Sequence, residues 1–99
     1  MRRLTTPTHT FTLPFDESVV DKFLLTYVQN DIIVLEKTEE EVLADGNVWS
    51  VELTQEETKK FKPGVASCQI RILTKDGKAL ASDVFQVGVR QVFNEVVLE

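Results

Sequence analysis

The feature that most constrains this chain is the density and spacing of its β-branched side chains. Fourteen valines, four isoleucines and ten threonines make 28 of 99 residues β-branched. Such side chains are stiff at χ1 and fit a pleated sheet better than a helix. They fall in short alternating runs, separated by turn residues at Pro14, Gln29-Asn30-Asp31, Asp45-Gly46, Lys62-Pro63-Gly64 and Asp76-Gly77. Short strands punctuated in this way predict an all-β sandwich or barrel. The length of 99 residues allows one hydrophobic core and no more.

The runs can be read one by one. In Thr8 to Leu13, threonines alternate with His9, Phe11 and Leu13, so Phe11 and Leu13 face inward. Pro7 and Pro14 bracket this run, as suits an edge strand. Between Lys22 and Gln29, Phe23, Leu25 and Tyr27 share one face. Gln29-Asn30-Asp31 then predicts a hairpin into Ile32 to Lys37, since Asn and Asp tolerate the left-handed conformation. Glu39-Glu40-Glu41 reads as a solvated acidic loop, with a helical turn as the alternative. Asp45-Gly46 opens a second hairpin into Val48 to Leu53, where Trp49, Val51 and Leu53 alternate and place Trp49 in the core.

Thr54 followed by Glu57 is a capping-box signature, and Glu56 with Lys60 is a favourable i, i+4 pair. One short helical turn is therefore expected near residues 55–61, anchored by Phe61 and ended by Pro63-Gly64. Val65 to Thr74 puts Cys68, Ile70 and Ile72 on one face. After the Asp76-Gly77 turn, Ala79 to Val89 reads as one strand whose phase breaks near Ser82-Asp83, which a β-bulge would reconcile.

Composition narrows the function classes. Eleven Lys and Arg against sixteen Asp and Glu give a net charge of −5, which argues against nucleic acid as a partner. A lone Cys68 forbids an intrachain disulfide and favours a reducing compartment. The positive start Met1-Arg2-Arg3 lacks the apolar stretch of about 7–15 residues that a signal peptide requires. No apolar run approaches the ~20 residues of a membrane-spanning helix, so no membrane association is expected. His9 is the only histidine and lies far from Cys68 in sequence, which leaves a metal site or a nucleophile–histidine pair poorly supplied. The acids Glu39, Glu40, Glu41 and Asp45 lack the alternate spacing of a calcium loop. No catalytic residue, metal or cofactor is implied, and an enzyme is not expected.

The expected architecture is an immunoglobulin-like antiparallel β-sandwich of about seven strands over residues 8–90. A five- or six-stranded barrel is the runner-up. Residues 1–7 are read as a flexible start. Residues 91–99 keep an apolar character through Val92, Phe93, Val96, Val97 and Leu98, which a merely fraying terminus would not need. That tail is expected either to complete the sheet as a last strand or to bind a partner, and these five residues are the candidate partner-binding set.

Four stretches carry a family resemblance: Thr6 to Asp16, Thr26 to Asn30, Leu53 to Thr58 and Asp76 to Ser82. They resemble small proteins encoded in prophages of gut Firmicutes. In layout the chain is similar to the immunoglobulin-like N-terminal domain of phage baseplate upper proteins, although it lacks their long C-terminal part. The resemblance implies a non-enzymatic structural or assembly protein of a phage tail or baseplate. Its partners would be other phage structural proteins or further copies of itself. Its location would be the virion, or the host bacterial cytoplasm during assembly. The alternative is a carbohydrate- or host-surface-binding module using Trp49 or Tyr27 as an aromatic platform.

Overall fold

A computed structural model describes residues 1–99. The strands are β1 (Thr8–Thr12), β2 (Val20–Gln29), β3 (Ile32–Thr38), β4 (Leu43–Asp45), β5 (Val48–Glu52), β6 (Gly64–Thr74), β7 (Ala79–Ala81) and β8 (Phe85–Val89). One short helix, α1 (Gln55–Lys59), lies between β5 and β6, and single 3₁₀ turns cover Glu17–Val19 and Glu39–Glu41. The strands form two antiparallel sheets. One has the order β1-β5-β4; the other has the order β3-β2-β6-β7, with β8 also pairing β6. The chain is thus a β-sandwich and not a closed barrel.

The strand order is the immunoglobulin-like one. Strands β1, β5 and β4 stand where B, E and D stand in such a sandwich, and β3, β2, β6 and β8 stand where C′, C, F and G stand. There are eight strands instead of about seven because the last is broken. Arg71 pairs Ala81 and Cys68 pairs Phe85, so three steps along β6 face four along its partner. The one extra residue is the bulge that the phase change at Ser82-Asp83 implied. Ser82 spans the break: its amide donates to the Ile70 carbonyl (2.8 Å) and its hydroxyl accepts from the Ile70 amide (3.0 Å).

Turn chemistry explains the hairpins. Asn30 and Asp31 both take positive φ (54° and 63°), the pairing that a two-residue turn between β2 and β3 needs. Gly46 (φ 62°) does the same work between β4 and β5.

The two sheets meet through aromatic side chains. Phe23 of β2 stacks on Trp49 of β5 with centroids 4.8 Å apart, and Phe11 of β1 tilts against Phe85 of β8 at 5.1 Å. Leu25, Leu53, Ala66, Ile70 and Cys68 fill the space between and are buried. Trp49 lies in this core as its phase required, although its indole N–H has no hydrogen-bond partner. Burial pushes the Cys68 thiol up to about 11. Native protein should therefore resist a thiol-specific reagent at pH 8, and Cys68 should be labelled only at the rate at which the chain unfolds. Labelling as fast as that of a free thiol would show that the face of β6 opens locally.

Helix α1 has the expected capping box. The Thr54 hydroxyl accepts from the Glu57 amide (3.2 Å), and the Glu57 carboxylate accepts from the Thr54 amide (2.9 Å). The Glu56–Lys60 pair does not form. Instead Glu57 takes an ammonium from the other sheet, Lys37 of β3, at 2.6 Å. The acidic stretch Glu39–Glu41 is a helical turn and not a loop, because Thr38 and Glu41 repeat the same capping box.

Residues 1–7 lie against the sandwich and α1 through a set of hydrogen bonds. The Met1 α-amino group donates to the Gly88 carbonyl (2.7 Å), and Arg2 pairs with Arg90 in a parallel bridge at the end of β8. The Arg3 guanidinium donates to the carbonyls of Phe61 (2.7 Å) and Lys59 (2.9 Å). The last carbonyls of a helix have no partner within it, so these donors cap α1 from outside. Thr5 adds a reciprocal pair with the buried Thr58, donating to its hydroxyl (3.1 Å) and accepting from it (2.9 Å).

Candidate functional site

The structure removes several candidate chemistries from the surface. Trp49 and Tyr27 are both buried, so neither offers an aromatic platform to a sugar. His9 is half-buried, with Nδ1 2.6 Å from the Tyr27 hydroxyl. Burial, together with the charge of the Met1 α-amino group, holds its pKa below the ordinary histidine value. Burial, with Cys68 and Glu57 nearby, pushes the Tyr27 phenol well above its usual range.

Two of the candidate acids, Glu39 and Glu41, are occupied by structural contacts. Glu39 accepts from the Phe23 amide (3.2 Å) and faces Lys22 at 3.5 Å; Glu41 accepts from the Thr38 amide (3.0 Å) and faces Lys37 at 3.6 Å. Amide hydrogen bonds hold the carboxyls of Glu39 and Glu41 below the usual range, and contacts with Ser18 do the same for Asp16. Burial opposes ionisation of Glu57, but Lys37 and the Thr54 amide outweigh it. All four carboxyls are lowered in the folded state, so the unfolded chain binds protons first as pH falls. Their stabilisation is present above the ordinary carboxylate range and is lost as pH drops through their lowered folded values. Because burial also lowers the His9 pKa, the melting temperature is expected to begin falling below about pH 6.5 and to fall further through the carboxylate range toward pH 3. An unchanged value at pH 3 would contradict these contacts.

Two apolar segments are exposed on the surface, and the first is the C-terminal tail. The tail after Arg90 joins no ladder, so it is not a last strand of this sheet. It folds back over α1 and the N-terminal residues. Gln55 holds the Leu98 backbone at both groups, donating to its carbonyl (2.8 Å) and accepting from its amide (2.9 Å). Arg2 donates to the Gln91 carbonyl (2.9 Å), and Arg3 forms an ion pair with Glu95. Leu4, Val92, Val96 and Leu98 line a shallow groove of about 360 Å³. Phe93, Val96 and Leu98 are exposed, whereas Val92 and Val97 are half-buried.

A second apolar patch lies on the β2–β3 hairpin. Strand β3 pairs only with β2, so its outer edge is free. Ile32 and Ile33 are 67% and 58% exposed there. With Val34, Lys60 and Lys62 they line a groove of about 350 Å³. The wall at Lys62 is fixed by Gln29, whose side chain donates to the Lys62 carbonyl (2.6 Å) and accepts from its amide (2.7 Å). Local pattern contained a signal for this patch: adjacent isoleucines in a strand cannot both face the core. Comparison of the chain with family models, curated proteins and solved structures finds no match.

Proposed function

We propose that this chain is a non-enzymatic structural or assembly module of a phage particle, working in the tail or baseplate through protein–protein contacts. The observation that carries the reading is the pairing of an immunoglobulin-like sandwich with two exposed apolar segments, one on the β2–β3 hairpin and one on the tail. Contiguous exposed apolar surface rimmed by charge is what interaction sites present. The resemblance of four stretches to prophage-encoded proteins supplies the phage context. Genomic neighbourhood tests the reading directly. Flanking capsid, portal or tail genes are expected, and a metabolic operon would overturn it.

A further inference from the structure

We infer that the C-terminal segment, residues 93–99, of one copy of this chain adds as an extended strand to the free edge of β3 in a second copy. The inference rests on the contact-module reading above and names the partner and the two surfaces.

The tail has the composition of a strand and no ladder of its own. In an extended conformation, Phe93, Glu95, Val97 and Glu99 share one side, while Asn94, Val96 and Leu98 share the other. In its own chain the segment is held by one glutamine side chain, one ion pair and little buried side-chain surface. Such a hold can be exchanged for a better one.

The β3 edge offers that better hold. Unpaired strand edges present a row of free N–H and C=O groups, and an exposed apolar edge recruits further strands. Ile32 and Ile33 supply the apolar side, and the Gln29–Lys62 hydrogen bonds keep the neighbouring wall in place before anything binds.

Charge favours this edge over that of β4. The chain carries a net charge of −5, yet Lys60 and Lys62 line the groove beside β3 without an ion pair. The tail brings Glu95 and Glu99. The β4 edge ends in Asp45 and follows Glu39–Glu41, so it repels the same segment. The β1 edge is closed at its ends by Pro7 and Pro14. Each copy both gives a tail and receives one, so reciprocal dimers, rings or short filaments follow from the same contact.

The test is the mass of the full chain by light scattering and sedimentation velocity across the micromolar range. Mass above that of one chain, rising with concentration, is expected. The chain ending at Gln91 should remain a monomer. So should Lys60→Glu/Lys62→Glu, and adding Glu95→Lys/Glu99→Lys to that variant should restore association. Gln55→Ala removes only the intramolecular hold, so it should tighten association roughly fivefold. Far-UV circular dichroism confirms that each variant is folded. A wild-type chain that stays monomeric, a truncated chain that associates equally, or a failed charge-reversal rescue would each overturn the tail–β3 pairing. None of these would touch the contact-module reading, which falls only on the genomic context.

Discussion

Replacing Phe61 with alanine is expected to cost about 3–5 kcal/mol. Phe61, two residues past the end of α1, is fully buried where the chain turns toward β6. Its ring meets Tyr27 of β2 edge-on, with centroids 5.6 Å apart and planes at 90°. Its carbonyl accepts from Arg3, so one residue ties the helix, a core strand and the N-terminal segment together. The neighbours cannot collapse into the space: Tyr27 is fixed by the sheet, and the backbone on either side is held by Arg3 and by the Gln29–Lys62 hydrogen bonds. A domain of this size has only about 5–15 kcal/mol in total, so the variant should be partly unfolded near 37 °C. Urea unfolding followed by the single tryptophan reads this directly, because Trp49 is buried only in the folded state. Phe61→Leu keeps most of the volume and should cost about 1 kcal/mol. Equal costs for the two variants would show that the ring does not fill the junction.

Most of the strand pattern was readable because the signals are local. Alternation in Trp49-Ser50-Val51-Glu52-Leu53, the Asp-Gly turns and the Thr54/Glu57 capping box each depend on residues within a few positions of one another. The break near Ser82 was also local, since a change of phase within one run demands an extra residue. The helical turn at Glu39–Glu41 carried the same threonine-to-glutamate spacing as α1, and three adjacent acids drew the reading toward a solvated loop instead.

What escaped the sequence was non-local. Arg2 and Arg3 look like a loose basic start until the carbonyls of Lys59, Phe61 and Gln91 arrive beside them, 56 or more positions away. Which strand becomes a sheet edge depends on the order of all the strands, so the exposed side of Ile32 and Ile33 could not be assigned a role from the hairpin alone. The tail shows the same limit. Its apolar residues, Val92, Phe93, Val96, Val97 and Leu98, were evident, but the Gln55 clamp on Leu98 spans 43 positions.

The second large effect concerns Lys37. Its phase with Leu35 points it inward, and it is only 6% exposed. Its ammonium lies 2.6 Å from Glu57 and 3.6 Å from Glu41, which joins β3 to α1 and to the turn before β4. Glu57→Gln is expected to cost about 2–3 kcal/mol, because it leaves a buried cation with one weaker partner. Glutamine can still accept from the Thr54 amide, so the capping box is not the source of the loss. Lys37→Met should cost less, about 1 kcal/mol, since the Glu57 side chain is 18% exposed and can recover some hydration. The double variant Lys37→Met/Glu57→Gln should lie within about 1 kcal/mol of wild type, because a neutral pair leaves no charge to desolvate. Chemical denaturation of the four proteins at pH 7 closes the cycle, and a coupling below about 0.5 kcal/mol would show that the two charges act independently.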